Sequence, residues 1–217
     1  KDAVQLEEKK NVFLTSAFKD GLFEVQDAGS QKIAEFLEVK PGMRVVDACA
    51  GAGGKTLHLA AMMENKGQII AMDIHGWKLT ELKRRAKRAG AHNIETREIT
   101  DTKVIKRLHE KADRLLIDAP CSGLGVLKRN PDSKWKIDQD FIDRIKKEQQ
   151  QILQDYSKII RKGGKLVYAT CSILPSENNE QVAEFLKNNP DFKLVKDEKV
   201  MPSSGFDGFY MALIERI

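Results

Sequence analysis

A chain of 217 residues, 41% hydrophobic and 32% charged, has the composition of one globular domain, since a single core serves up to about 250 residues. It has no apolar run near the roughly 20 residues that a membrane span needs, no apolar leader, and only three cysteines, so membrane-spanning and disulfide-stapled classes are set aside and a cytoplasmic protein is expected. The net charge of +5 permits a polyanionic partner without requiring one.

Residues 1 to 25 show little periodicity, and Thr15 to Gly21 reads as a turn before the run Leu22-Phe23-Glu24-Val25. Within 30–37, Ile33, Ala34, Phe36 and Leu37 recur at near-helical spacing, and Lys40-Pro41-Gly42 ends that helix. Residues 1–40 therefore read as a lead-in segment and helix, and 41–217 as the main domain. From Met43 onward, strands over 44–47, 68–73, 93–97 and 113–118 alternate with helices over 56–63, 78–89 and 104–109. Such alternation predicts parallel βαβ units, hence an α/β fold with helices on both faces of a twisted, mainly parallel sheet. Residues 124–137 read as loop, and 141–160 as a helix closed by Arg161-Lys162-Gly163-Gly164. A strand over 165–170, a helix over 177–186 and a strand over 208–214 complete the chain.

Between the first strand and its helix lies Asp47-Ala48-Cys49-Ala50-Gly51-Ala52-Gly53-Gly54-Lys55-Thr56. Glycines there let the backbone approach a ligand, and the helix that follows presents free amides. Gly54-Lys55-Thr56 fits the end of a nucleotide P-loop, but Cys49 stands where that motif requires its first glycine. A nucleoside cofactor fits better, with Asp73 at the end of the second strand placed to hold ribose hydroxyls. Asp101, after the third strand, is placed either near the cofactor's base or as a helix cap. Cys49 is expected to line the loop without reacting.

Two further cysteines follow strands, in Asp118-Ala-Pro-Cys-Ser-Gly123 and in Ala169-Thr170-Cys171-Ser172. In an open α/β sheet the carboxyl ends of the strands form the ligand crevice, so these thiols and Asp118 face whatever binds there. A thiolate added to carbon 6 of a cytosine makes carbon 5 electron-rich enough to take a methyl group from a sulfonium donor. A carboxyl group beside the exocyclic amine and ring nitrogen stabilises the adduct, a role open to Asp118. A second cysteine assists when the carbon 5 proton leaves and the first thiolate is expelled. The spacings of Cys49, Cys121 and Cys171, and of the four histidines, do not suit zinc, so no metal is expected.

On these motifs the chain resembles the Sun/Fmu (Nol1/Nop2) family of RNA cytosine-5 methyltransferases, from Phe23-Glu24-Val25-Gln26-Asp27 and Ser30-Gln31 to Asp207-Gly208-Phe209. Where that family usually carries Ala-Pro in the glycine loop, this chain has Gly51 and Ala52. The resemblance implies a Rossmann-like class I methyltransferase fold, with Cys49, Ala50, Gly51, Ala52, Gly53, Gly54, Lys55, Asp73, Asp101 and Asp118 contacting S-adenosyl-L-methionine. It makes Cys171 the nucleophile and Cys121 the thiol that helps release product. DNA cytosine methyltransferases use the Pro-Cys thiol instead, so Cys121 as nucleophile on DNA is the enzymatic alternative. An RNA-binding protein without turnover is the non-catalytic one. The segment Ile173-Leu174-Pro175-Ser176-Glu177-Asn178 matches the RNA family better. The implied partner is structured RNA, ribosomal RNA first and transfer RNA second, with an upstream RNA-binding domain outside this chain. Phosphate contacts are expected from Lys83, Arg84, Arg85, Lys87 and Arg88 and from Lys128, Arg129, Lys134 and Lys136. Trp135 is expected to pack, with stacking on a base as its other reading.

Overall fold

Adjacent residues on the central strands are buried in pairs: Val45 and Val46, Ile69 and Ile70, Leu115 and Leu116, Leu166 and Val167 are each at most 1% exposed. Side chains alternate across a strand, so both faces of the sheet must be covered, as in parallel sheets. The computed structural model, which describes residues 3–8 and 10–217, shows how. Strands β1 (Arg44–Asp47), β2 (Gln68–Asp73), β3 (Ile94–Glu98), β4 (Ala112–Asp118), β5 (Ile160–Thr170), β6 (Phe192–Val200) and β7 (Phe209–Arg216) form one sheet in the order β3-β2-β1-β4-β5-β7-β6. The first five strands of that order run parallel, and β7 is antiparallel to both of its neighbours.

The α-helices are α1 (Ser16–Lys19), α2 (Ala28–Phe36), α3 (Gly54–Met62), α4 (Gly76–Arg88), α5 (Thr102–Lys106), α6 (Gln139–Tyr156) and α7 (Asn179–Asn188). Ile33 and Ala34 of α2 and Leu59 and Ala60 of α3 pack on the face bearing Val45, Ile69, Leu116 and Val167. Leu79, Leu82 and Ala86 of α4 pack with Ala71. Ile105 of α5, Leu153 of α6, and Val182 and Phe185 of α7 cover the opposite face, on Val46, Ile70, Leu115 and Leu166. This is the α/β architecture that the alternating pattern predicts, in the Rossmann-like form that the resemblance implies.

Three local expectations are corrected. Arg161 to Gly164 do not close a helix: α6 stops at Tyr156, a 3-10 turn spans Ser157–Ile159, and β5 already begins at Ile160. Ile160 pairs with Ala112 while Lys165 pairs with Arg114, so residues 161–164 bulge out of the ladder, where Arg161 meets Asp113 at 2.6 Å. Second, β6 has no counterpart in the sequence reading. It is an edge strand with most of its residues exposed, and charges protecting such an edge erase the apolar alternation that would announce it. Third, part of the Thr15–Gly21 turn is the short helix α1, capped by the Thr15 side chain accepting from the Phe18 amide.

Candidate active site

The strands β4 and β5 are parallel neighbours in register, Asp118 opposite Ala169, so both chains leave the sheet at the same edge. The Ala119 amide donates to the Ala169 carbonyl at 2.8 Å, extending the pairing one step into the loops. Cys121 and Cys171 thus meet with their Sγ atoms 3.3 Å apart. Beside them the Lys55 ammonium, from the first turn of α3, donates to Asp118 Oδ2 at 2.6 Å. Two loops from neighbouring strands and one helix N-terminus therefore bring Cys121, Cys171, Asp118 and Lys55 together.

Electrostatics distinguish the two thiols. Cys171 titrates below the ordinary thiol value because Cys121 can donate to its thiolate, and the Lys55 charge adds to this against the opposing effects of burial and of the Asp118 carboxylate. Cys121 is pushed up by donating that same bond and by burial. Burial disfavours the Lys55 ammonium, but the adjacent Asp118 carboxylate more than offsets it and holds Lys55 above its ordinary value. Cys49 is driven far up by burial, then by Asp47 and Asp118, and remains a thiol.

The glycine loop turns over the end of β1. Gly53 sits at φ 88°, and a Cβ there would lie 2.5 Å from Leu82 Cγ, so α4 packs against the loop only because this residue has no side chain. Arg85 of α4 donates to the Ala52 carbonyl at 2.9 Å. Asp73 ties the loop to β2, accepting from the Gly51 amide at 2.9 Å and from the His75 amide at 2.8 Å. A cavity of about 110 Å³ is lined by Cys49, Ala50, Gly54, Lys55 and Asp118, together with Gln26, Ser30 and Asp47. Asp73 and Asp101 do not line it. Asp101 is exposed and caps α5, accepting from the amides of Lys103 and Val104.

Sequence reasoning passed over the group that holds the two cysteine loops. Glu177, 0% exposed, accepts from the Ser122 amide at 2.8 Å, from the Ser122 and Ser172 hydroxyls at 2.5 Å each, and from Gln149 Nε2 at 3.0 Å. Each serine directly follows one of the cysteines. That shared Cys-Ser pairing, with a glutamate six positions after Cys171, is the signal that could have disclosed it. Asn178 completes the loop, accepting from the Thr170 hydroxyl and donating to the Ser172 carbonyl at 3.0 Å. Asp47, quoted in the loop but given no role, is buried with Oδ2 bound to the Thr56 hydroxyl at 2.7 Å and Oδ1 without a hydrogen-bond partner among the described residues.

The basic groups divide differently from expectation. On α4, Arg85 and Arg88 pair with Glu24, Arg88 lies 3.9 Å from the Phe18 ring centroid, and Arg84 pairs with Glu81, so these three hold the protein's own lead-in segment or helix. Lys128, Arg129, Lys134 and Lys136 are exposed beyond Cys121, with Arg129 paired to Asp207. Trp135 does not pack as expected: it is 80% exposed, with Lys134 Nζ 4.8 Å from its ring centroid. Among the described residues no group of three His, Cys, Asp or Glu side chains is arranged to hold a metal ion, and no helix is long and apolar enough to cross a membrane.

A family model described as 16S rRNA methyltransferase RsmB/F matches residues 34–214. The "Probable ribosomal RNA small subunit methyltransferase B" of Synechocystis sp. is 40% identical over 81% of this chain and 40% of its own length. The Ribosomal RNA small subunit methyltransferase B of Proteus mirabilis is 36% identical over 99% of this chain and 51% of its own. The crystal structure of NSun6 from Pyrococcus horikoshii with SFG superposes with a TM-score of 0.86 at 30% identity, over 96% of this chain and 56% of that one. The chain spans about half the length of these relatives. With the fold, the paired-cysteine loops and the sequence match in agreement, the chain belongs to the RsmB/F family of 16S rRNA methyltransferases.

Proposed function

We propose that this chain carries the catalytic part of an RNA (cytosine-5-)-methyltransferase that uses S-adenosylmethionine and acts on ribosomal RNA. The observation that carries the reading is the thiol pair, Sγ to Sγ 3.3 Å, set beside the Asp118–Lys55 ion pair at the edge of the cavity under the glycine loop. A lone cysteine at a strand end would not support it; two unequal thiols and an acid do.

The cavity suits the cofactor. A Cβ at Gly51 or Gly54 would meet nothing within 4 Å, so space stands open over the loop, and the unpartnered Asp47 Oδ1 is an acceptor for an ammonium N–H. Cys49, Ala50, Gly51, Gly54, Lys55 and Asp47 would hold its amino-acid end, with Asp73 and Asp101 on the neighbouring strand ends. When bound, S-adenosylmethionine supplies an electrophilic methyl group on a sulfonium.

Cys171 attacks carbon 6 of the target cytosine: the S–C6 bond forms and the C5–C6 pair shifts toward carbon 5. Asp118 accepts from the exocyclic amine and orients the ring, while the Lys55 ammonium keeps Asp118 aimed, offsets the negative charge that the addition brings, and favours the Cys171 thiolate. After methylation a base takes the carbon 5 proton, the pair returns to C5=C6, the C6–S bond breaks, and Cys171 leaves as a thiolate that the Cys121 S–H stabilises by hydrogen bonding. The target nucleotide must leave its stack, because carbon 6 is approached from the ring's face. The exposed lysines at 128, 134 and 136 supply phosphate contacts beside the crevice, and Trp135 a face for an unpaired base.

Transfer of labelled methyl from S-adenosylmethionine to unmodified small-subunit ribosomal RNA, transfer RNA and a matched DNA tests this. Label in 5-methylcytosine of the ribosomal RNA alone is the expected result; label in the DNA alone would move the assignment to Cys121 and the DNA-type reaction.

A further inference from the structure

Glu177 stands at the meeting point of the two cysteine loops, yet it lines no part of the cavity and its carboxylate hydrogen-bonds to the neighbouring serines and Gln149 rather than to either sulfur. Its carboxylate takes four hydrogen bonds, three of them from Ser122 and Ser172, the residues directly after Cys121 and Cys171. The two serine hydroxyls also lie 3.1 Å from each other. The fourth donor, Gln149 Nε2, simultaneously donates to the Pro120 carbonyl at 3.0 Å, so the residue before Cys121 is tied to the same cluster as the residue after it. On the other side the Tyr168 hydroxyl donates to the Glu177 carbonyl at 2.8 Å, fixing the glutamate's backbone to β5. A buried carboxylate with so many donors is costly to disturb, because each donor left without its acceptor loses a bond that water does not replace.

We propose that Glu177 is a positioning residue that clamps the Cys121 and Cys171 loops together, so that Cys121 points its S–H at the Cys171 sulfur. This rests on the reading of Cys171 as the nucleophile, but it concerns the free protein and needs no methyl transfer to be seen. The sheet pairing ends at Ala119 and Ala169, and beyond it the loops are joined by the Gly125 amide donating to the Cys171 carbonyl at 2.9 Å and by the Glu177 cluster, of which only the cluster holds the residues directly after both cysteines. Without the clamp the loops part, Cys171 loses the donated hydrogen bond, and its thiolate fraction at neutral pH falls.

The test is alkylation by iodoacetamide across pH, each thiol followed separately by peptide mass spectrometry. In that reaction the thiolate forms a carbon–sulfur bond and iodide leaves, so the rate follows the thiolate fraction. Glu177→Gln places an NH2 where two of the donors point, and it is compared with wild type and with the milder Ser122→Ala and Ser172→Ala variants. The expected result is that Cys171 in Glu177→Gln reaches half-maximal reactivity about one pH higher and reacts about tenfold more slowly at pH 7, while circular dichroism shows a folded protein. Each serine variant should show a smaller change in the same direction, which keeps the test decisive if Glu177→Gln does not fold. A purely structural role gives the opposite sign: loosened packing speeds alkylation of Cys49, Cys121 and Cys171 at every pH. That pattern, or an unchanged Cys171 profile in the folded variants, overturns the proposal. Failure of the nucleophile assignment itself appears elsewhere, in the trapping of RNA adducts.

Discussion

The Cys121 and Cys171 sulfurs stand 3.3 Å apart although 50 residues separate them in the chain. Closing that gap to a disulfide at about 2.05 Å needs only a small side-chain movement. Hydrogen peroxide should therefore oxidise the pair, removing one hydrogen from each thiol as water forms. Peptide mapping should find the Cys121–Cys171 bridge with Cys49 still a thiol, methyl transfer should cease, and dithiothreitol should restore it. Oxidation of the sulfurs one by one, with no bridge, would show that the loops hold them apart in solution.

Lys55 serves both Asp118 and Cys171. Replacing it with Met leaves the Asp118 carboxylate, 27% exposed, without its cation. The expected loss of stability is about 2 kcal/mol, below that of a fully buried pair because water still reaches Asp118. The functional effect should be larger than the structural one: without the nearby ammonium the Cys171 thiol titrates higher, so the acid limb of the pH–rate profile moves to higher pH. An unmoved limb in Lys55→Met would remove Lys55 from the activation of Cys171.

Burial, and then the nearby Asp118 charge, raises Asp47 from 3.8 to about 7, although the Thr56 hydroxyl opposes the shift. The folded protein thus holds this proton more tightly than the unfolded chain does. Asp47 costs no stability below about pH 4, costs progressively more as pH rises toward 7, and beyond that the penalty is level at about 4 kcal/mol. Asp47→Asn keeps an acceptor for Thr56 and removes the charge. Its melting temperature should match wild type near pH 4 and exceed it by several degrees at pH 8, with cofactor affinity reduced. Equal melting at both pH values would mean that Asp47 is solvated or paired at neutral pH.

Gly125 lies under the basic loop where backbones touch. Its amide donates to the Cys171 carbonyl at 2.9 Å, and a Cβ on it would sit 2.3 Å from the Gly208 oxygen and 2.8 Å from the Cys171 oxygen. Gly125→Ala forces one of those backbones to move, at a cost of about 1–3 kcal/mol. Because Cys171 is one of them, turnover should fall by at least tenfold at a temperature where the variant is fully folded. Full turnover in the folded variant would show that the Cys171 backbone tolerates displacement.

The mainly parallel α/β pattern and the meeting of the two cysteines were legible because they follow from parallel strands that end together: apolar runs marked β4 and β5, and polar motifs marked where each emerged. The glycine loop was legible for the same reason. What escaped had no local signature. Glu177 reads as the start of a helix until Ser122 arrives from 55 residues away. The charged edge strand β6 lacks the alternation of a half-buried strand. Arg85 and Arg88 read as a phosphate-binding face until Glu24 and Phe18 fold back onto them. Trp135 was misread in the other direction, since nothing nearby in sequence tells whether an indole in a polar loop finds a pocket.

The most direct test of the account is covalent trapping. Wild type, Cys121→Ala and Cys171→Ala, each in the full-length protein, are expressed in cells that supply their own RNA and then run on a denaturing gel. The account predicts a slow-migrating, ribonuclease-sensitive protein–RNA adduct in Cys121→Ala and none in Cys171→Ala, because the first retains the nucleophile and has lost its release. An adduct in Cys171→Ala and none in Cys121→Ala would contradict it and make Cys121 the attacking thiol.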